Sequence, residues 1–272
     1  MSERFLSLML ALVSRTLLLR DRWSGNMARW LSLFPFASHR FVLMSGRREL
    51  SAVYISAGEE APAFVICHGI GERVEYWGLV QDLLRREGVS SLVFNYTGFG
   101  ASSGLPCATY CEEDAVAAVE ELGRRGVKDI FLLGFSMGTG VASAIVPLVN
   151  VRGVILCQGF SSLREAAQVA GIPRWVTLLA TDAWRTEERV RGLTVPVLVV
   201  HTVDDGLFPI TMAERVARAC GERGEAIVLS GFPHNTPIFA APEKYWRPVV
   251  AWAKRRIGNP GKSHRALLDA PP

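Results

Sequence analysis

"LLGFSMGTG", residues 132–140, sets Ser136 between Gly134 and Gly138 directly after an apolar run. Gly-x-Ser-x-Gly is short and arises readily by chance, so its surroundings decide what it means. Before it, "IFLLGFS" (130–136) is continuously apolar, as a strand covered on both faces must be. After it, residues 138–149 have helical length and pattern. A strand that turns sharply into a helix strains the serine's backbone and leaves room only for small neighbours. The stretch therefore predicts an α/β domain in which Ser136 is pushed out of a turn at a strand's carboxyl end.

Working outward, the same kind of run recurs. "FVLMSG" and "LSAVYIS" flank a polar "RRE" as a hairpin, and "AFVICHG" (63–69), "SLVFNYT" (91–97), "GVILCQG" (153–159), "VPVLVVHT" (195–202) and "AIVLSG" (226–231) complete eight strands. Helical segments are expected near 75–87, 111–125, 209–220 and 242–256 as well. A hairpin followed by strand–helix alternation predicts a mostly parallel eight-stranded sheet flanked by helices. Such sheets bind ligands beyond the carboxyl ends of their strands.

The 272 residues, 49% hydrophobic and 21% charged, suit one large α/β domain over 41–257. The net charge of +4 is concentrated: the first fifty residues hold eight Arg against Glu3, Asp21 and Glu49, leaving the rest near neutral. That argues against a nucleic-acid-binding body. Five cysteines without a C-x-x-C pair argue against a disulfide framework or zinc site, and no metal or cofactor is called for. Residues 258–272 read as a poorly ordered tail.

Residues 1–40 read as a separate apolar and basic segment of helical pattern. "FLSLMLALVSRTLLL" is broken by Arg15, short of the roughly 20 residues needed to span a bilayer. Arg4, Ser7, Ala11, Ser14 and Arg15 make a narrow polar stripe beside a broad apolar face. Three readings stay open: membrane-surface contact through residues 5–30, docking on the domain, or a secretory signal. The first gives a cytoplasmic protein associated with a membrane.

A serine at an elbow needs a base. Of five histidines, His264 lies in the tail, His39 precedes the sheet and His201 lies inside a strand run. His68 ends a strand and shapes its turn, while His234, in "GFPHNTP" after the last strand, can reach across to Ser136. The orienting acid should fall between them in the chain, and "VDDGLFP" supplies Asp204 and Asp205. An oxyanion would take hydrogen bonds from the N–H of Met137 and, in the loop "HGIGE", of Ile70.

From residue 41 to 256 the chain resembles the α/β-hydrolase superfamily of serine hydrolases. Its "GFSMG", "HGIGE", "DDGLFP" and "GFPHN" stand in the superfamily's order. The family's Asp four residues before a Pro maps to Asp205 before Pro209, which selects Asp205 over Asp204. "HGIGERVEYW", "FNYTGFGASSG" and "GFSSLREAA" are similar to stretches of the lysophospholipase, monoacylglycerol-lipase-like and Bem46-like branches. The usual arginine of the second stretch is Thr97 here, and the cap between strands six and seven, about 160–194, is short.

The resemblance implies acyl transfer through an acyl-enzyme on Ser136, with Asp205 and His234 completing the triad. The expected substrate is a small-molecule acyl or lipid-like ester or thioester. Trp175, Leu178, Leu179 and Trp184 of the cap are expected to line its acyl pocket or to pack the cap onto the core. Alternatives are an acyltransferase or amidase on the same triad, and a non-catalytic ligand-binding protein of the same fold.

Overall fold

Eight strands form where the apolar runs predict them: β1 (Arg40–Ser45), β2 (Arg48–Ile55), β3 (Ala63–Cys67), β4 (Ser90–Phe94), β5 (Ile130–Phe135), β6 (Gly153–Cys157), β7 (Val197–Thr202) and β8 (Gly224–Leu229). The structure is a computed structural model that describes residues 39–179 and 181–257. The expectations for the N-terminal segment through residue 38 and for the tail from 258 lie outside the described residues.

The strands make one sheet in the order β1-β2-β4-β3-β5-β6-β7-β8. β2 runs antiparallel to both β1 and β4, and the pairs from β4 through β8 are parallel. The β1–β2 hairpin closes over Gly46 and Arg47 in a register that sets Ser45 opposite Arg48. Gly46 has φ +58°, the left-handed conformation that a two-residue hairpin requires of its first turn residue.

Helices fill the connections: α1 (Gly78–Arg86), α2 (Ala108–Arg124), α3 (Met137–Ile145), α4 (Leu163–Val169), α5 (Arg174–Thr177), α6 (Thr186–Arg191), α7 (Ile210–Ala219), α8 (Thr236–Phe239) and α9 (Glu243–Ile257). Helix α2 begins three residues before the expected position because Cys107 caps it, its Sγ accepting the Tyr110 N–H. The pleat sends alternate strand residues to opposite faces. On one face Val65 and Cys67 join the core beneath α2, α3 and α7. On the other, Phe64 and Ile66 pack with Trp77, Trp246 and Trp252 beneath α1 and α9. Each such buried aliphatic side chain contributes about 2 kcal/mol of transfer free energy, so a sheet buried on both faces is a stiff platform. Between β6 and β7 the helices α4, α5 and α6 form the expected short cap.

Candidate active site

The site is built at the carboxyl ends of β3, β5, β6, β7 and β8. At the β5–α3 turn Ser136 has φ +53° and ψ −119°, outside the regions open to an ordinary L-residue. Its flanking glycines are required by contact. A Cβ on Gly134 would stand 2.4 Å from the Gly138 carbonyl oxygen, and one on Gly138 would stand 1.8 Å from that of Cys67. The turn is held from both sides: the Ser136 N–H donates to the Cys157 carbonyl at 3.0 Å, and Thr139 Oγ1 donates to the Ser136 carbonyl at 2.7 Å. Strain of about 1–3 kcal/mol at such a residue persists only when its surroundings over-determine it. Although pushed out of the turn, Ser136 is only 4% exposed.

Asp205 sits in the turn after β7, its side chain out of solvent. Its Oδ1 accepts the N–H groups of Leu207 (2.8 Å) and Phe208 (3.0 Å), and its Oδ2 accepts His234 Nδ1–H at 2.7 Å. Burial alone would push this carboxyl up. The His234 hydrogen bond and charge, with the two amides, outweigh it and hold the group below its ordinary range. Asp204 is exposed and accepts the Gly231 N–H instead, bracing the loop that carries His234. The structure thus pairs His234 with Asp205, the residue selected in the sequence.

With Nδ1–H donated to Asp205, Nε2 is the ring nitrogen of His234 left for another partner. Its ring lies between Phe135 and Phe208, at centroid distances of 5.5 and 5.3 Å, and therefore beside the residue that precedes Ser136. Among the described residues no hydrogen bond joins Ser136 Oγ to His234. His201, the other histidine near Asp205, has Nε2 against the Phe208 carbonyl at 3.0 Å; burial lowers its pKa.

The loop after β3 closes over the serine. Glu72 N–H donates to the Gly69 carbonyl at 3.3 Å, with Gly71 at φ +74°, so residues 69–72 form a tight turn that only glycine suits at its third position. A Cβ on Gly69 would fall 3.1 Å from Ser136 Cβ. Among the described residues the Ile70 amide has no acceptor, and Met137, at the start of α3, has none within the helix. Behind this turn lies a group the sequence reading did not single out. The Glu72 carboxyl is buried and accepts Trp77 Nε1–H at 3.0 Å; burial pushes its pKa up to about 8 despite that bond and one from the Gly69 amide. His68 is buried too, with a pKa pushed down to about 4 and its Nδ1 2.8 Å from the Gly69 carbonyl.

The four cap residues separate. Trp175, Leu178 and Leu179 stand 68%, 60% and 57% exposed, on and just after α5. Trp184 is wholly buried, its ring against Gly140 of α3 and its Nε1–H donated to Glu112 Oε1 at 3.1 Å. The expectation that Trp184 lines an acyl pocket is corrected accordingly: it fastens the cap to the core. An open depression beside His234 is lined instead by Gly206, Leu207, Pro233, Phe239 and Ala240. Among the described residues no helix is long and apolar enough to cross a membrane, and no cluster of three metal-ligating side chains occurs.

Comparison with known proteins gives this geometry its context. Residues 64–269 match the family model described as the alpha/beta hydrolase family. An uncharacterized protein of Mycobacterium tuberculosis is 30% identical over 187 residues, 67% of this chain and 66% of that protein. The lysophosphatidylserine lipase of Danio rerio is 28% identical over 168 residues, 54% of this chain and 43% of that one. The chain thus spans less than two thirds of these relatives. Among solved structures, an esterase of Pyrococcus furiosus superposes with a TM-score of 0.67 at 19% identity, covering 83% of this chain and 92% of that one. A proline iminopeptidase of Mycobacterium smegmatis does so with a TM-score of 0.66 at 16% identity, covering 80% and 98%. Identities this low show a shared fold.

Proposed function

The chain belongs to the α/β-hydrolase family, and from that premise we propose that it is a serine hydrolase cleaving a carboxylic ester or thioester of an acyl, lipid-like kind. The observation that carries the reading is the strained Ser136, φ +53°, at the strand end beside a His234 already paired to an ionised Asp205. Strain of this kind needs a compensating use, and presenting a nucleophile to a base is one. The lipase among the relatives supports a lipid-like acyl group.

In this mechanism His234 Nε2 takes the Ser136 Oγ proton as Oγ attacks the substrate's carbonyl carbon. The oxyanion that forms is held by the Ile70 and Met137 amides. Collapse breaks the bond to the alcohol or thiol, which leaves with the proton from His234, and Ser136 keeps the acyl group. Water, deprotonated by the same imidazole, then releases the acid and restores the serine. Asp205 holds the imidazole's tautomer and stabilises its cation. The Ser136–His234 hydrogen bond closes when substrate is bound, as such bonds often do.

The test is turnover of p-nitrophenyl esters of rising acyl length by the native chain, Ser136→Ala and His234→Ala. Both variants should lose turnover by about 10³-fold or more while remaining folded. Unchanged turnover in Ser136→Ala contradicts the reading.

A further inference from the structure

Gln158 follows β6 directly and has φ +50°; with Ser136 and Ala241 it is one of three described non-glycine residues in the left-handed region. It is wholly buried, as is Thr202 at the end of β7. An amide side chain sealed away from water in a strained backbone must be held by specific partners. Here both its ends go to one residue. Gln158 Nε2 donates to Thr202 Oγ1 at 3.1 Å, and Gln158 Oε1 accepts the Thr202 N–H at 3.0 Å.

Donor and acceptor accounting fixes the direction of the chain. Thr202 Oγ1 has a single proton, and that proton goes to the Phe232 carbonyl at 2.6 Å. Its oxygen is then free to accept from the Gln158 amide, which settles which way the amide faces. Phe232 stands two residues before His234. The backbone carbonyl of Thr202 also accepts the Asp205 N–H at 3.3 Å. On the far side, the carbonyl of Cys157, next to Gln158 in the chain, accepts the Ser136 N–H at 3.0 Å. Gln158 and Thr202 thus touch the supports of the serine, the acid and the base without reaching any of their reacting atoms.

We propose that Gln158 and Thr202 are positioning residues that fix the His234 loop relative to the β5–α3 turn, so that the base meets Ser136 in the geometry of reaction. The inference rests on the serine-hydrolase reading above. A device of this kind acts on the chemical step and leaves substrate binding alone. Displacing a base by about 1 Å costs on the order of 100-fold in rate, and loosening one anchor of its loop should cost less than that.

The experiment compares the native chain with Thr202→Val, Thr202→Ser and Gln158→Met in ester turnover, with circular dichroism and thermal melts reporting the fold. Thr202→Val keeps the side chain's shape and removes only the hydroxyl. The expected result is a fall in kcat of about tenfold in Thr202→Val and Gln158→Met, KM within about twofold, and recovery in Thr202→Ser to within about threefold of the native kcat. If Thr202→Val does not fold, Gln158→Met against Thr202→Ser decides. Native kcat in the folded variants overturns the inference, as does an equal loss in Thr202→Ser, which would mark a packing effect. A folded native chain that neither turns over esters nor takes up a fluorophosphonate probe instead overturns the serine-hydrolase reading and this inference with it.

Discussion

Asp205 and His234, 29 residues apart in the chain, meet through a 2.7 Å hydrogen bond from Nδ1–H to Oδ2, while the other carboxylate oxygen is filled by two backbone amides. Three hydrogen bonds thus hold the carboxylate in place, two from the backbone and one from the imidazole it orients.

Asp205→Asn should therefore lower kcat by about 10³-fold or more, because an amide at that place favours the wrong imidazole tautomer. Asp204→Asn, at a residue that accepts the Gly231 amide and makes no hydrogen bond to His234, should stay within about tenfold of native. Steady-state ester kinetics on the pair checks this; equal losses would reassign the acid.

The glycines of the elbow make a second prediction. Gly138→Ala drives a methyl against the Cys67 carbonyl, which is backbone and cannot swing aside, so it should cost about 2 kcal/mol or more and abolish activity. Gly123→Ala, with nothing near its Cβ position in α2, should be neutral or stabilising by up to about 1 kcal/mol. Urea unfolding midpoints of the two variants measure the contrast.

Much of this is legible in the amino-acid sequence. The central strands, buried on both faces, leave unbroken apolar runs, the opening hairpin is marked by its polar turn, and the Ser136, Asp205 and His234 motifs fall at strand ends. The cap was harder. Composition marks Trp184 and Trp175 alike as large and apolar, but only packing tells that one lies against Gly140 and the other faces solvent. Gln158 left no trace either: a glutamine carries no signal for positive φ, and its partner Thr202 is 44 residues away. Glu72 stands within "HGIGE", but its burial against Trp77 depends on the segment that follows.

That burial gives a pH prediction. Glu72 titrates near 4.5 when unfolded and near 8 when folded, so the folded state holds an extra proton between these values. Its contribution to stability is complete below about pH 4.5 and is lost as pH rises through 8. His68, lowered from 6.5 to about 4, works in the opposite sense: stability falls as pH drops from 6.5 toward 4. Glu72→Gln removes only the first slope. The Tm difference between variant and native should move in the variant's favour between about pH 5 and 8, and a difference independent of pH would contradict the assignment.

The most direct test of the central claim is intact-mass analysis after treatment with a fluorophosphonate probe. The account predicts one probe equivalent on the native chain, none on folded Ser136→Ala, and strongly slowed labelling of His234→Ala. Folded native protein that takes up no probe, or label that persists in Ser136→Ala, would contradict it.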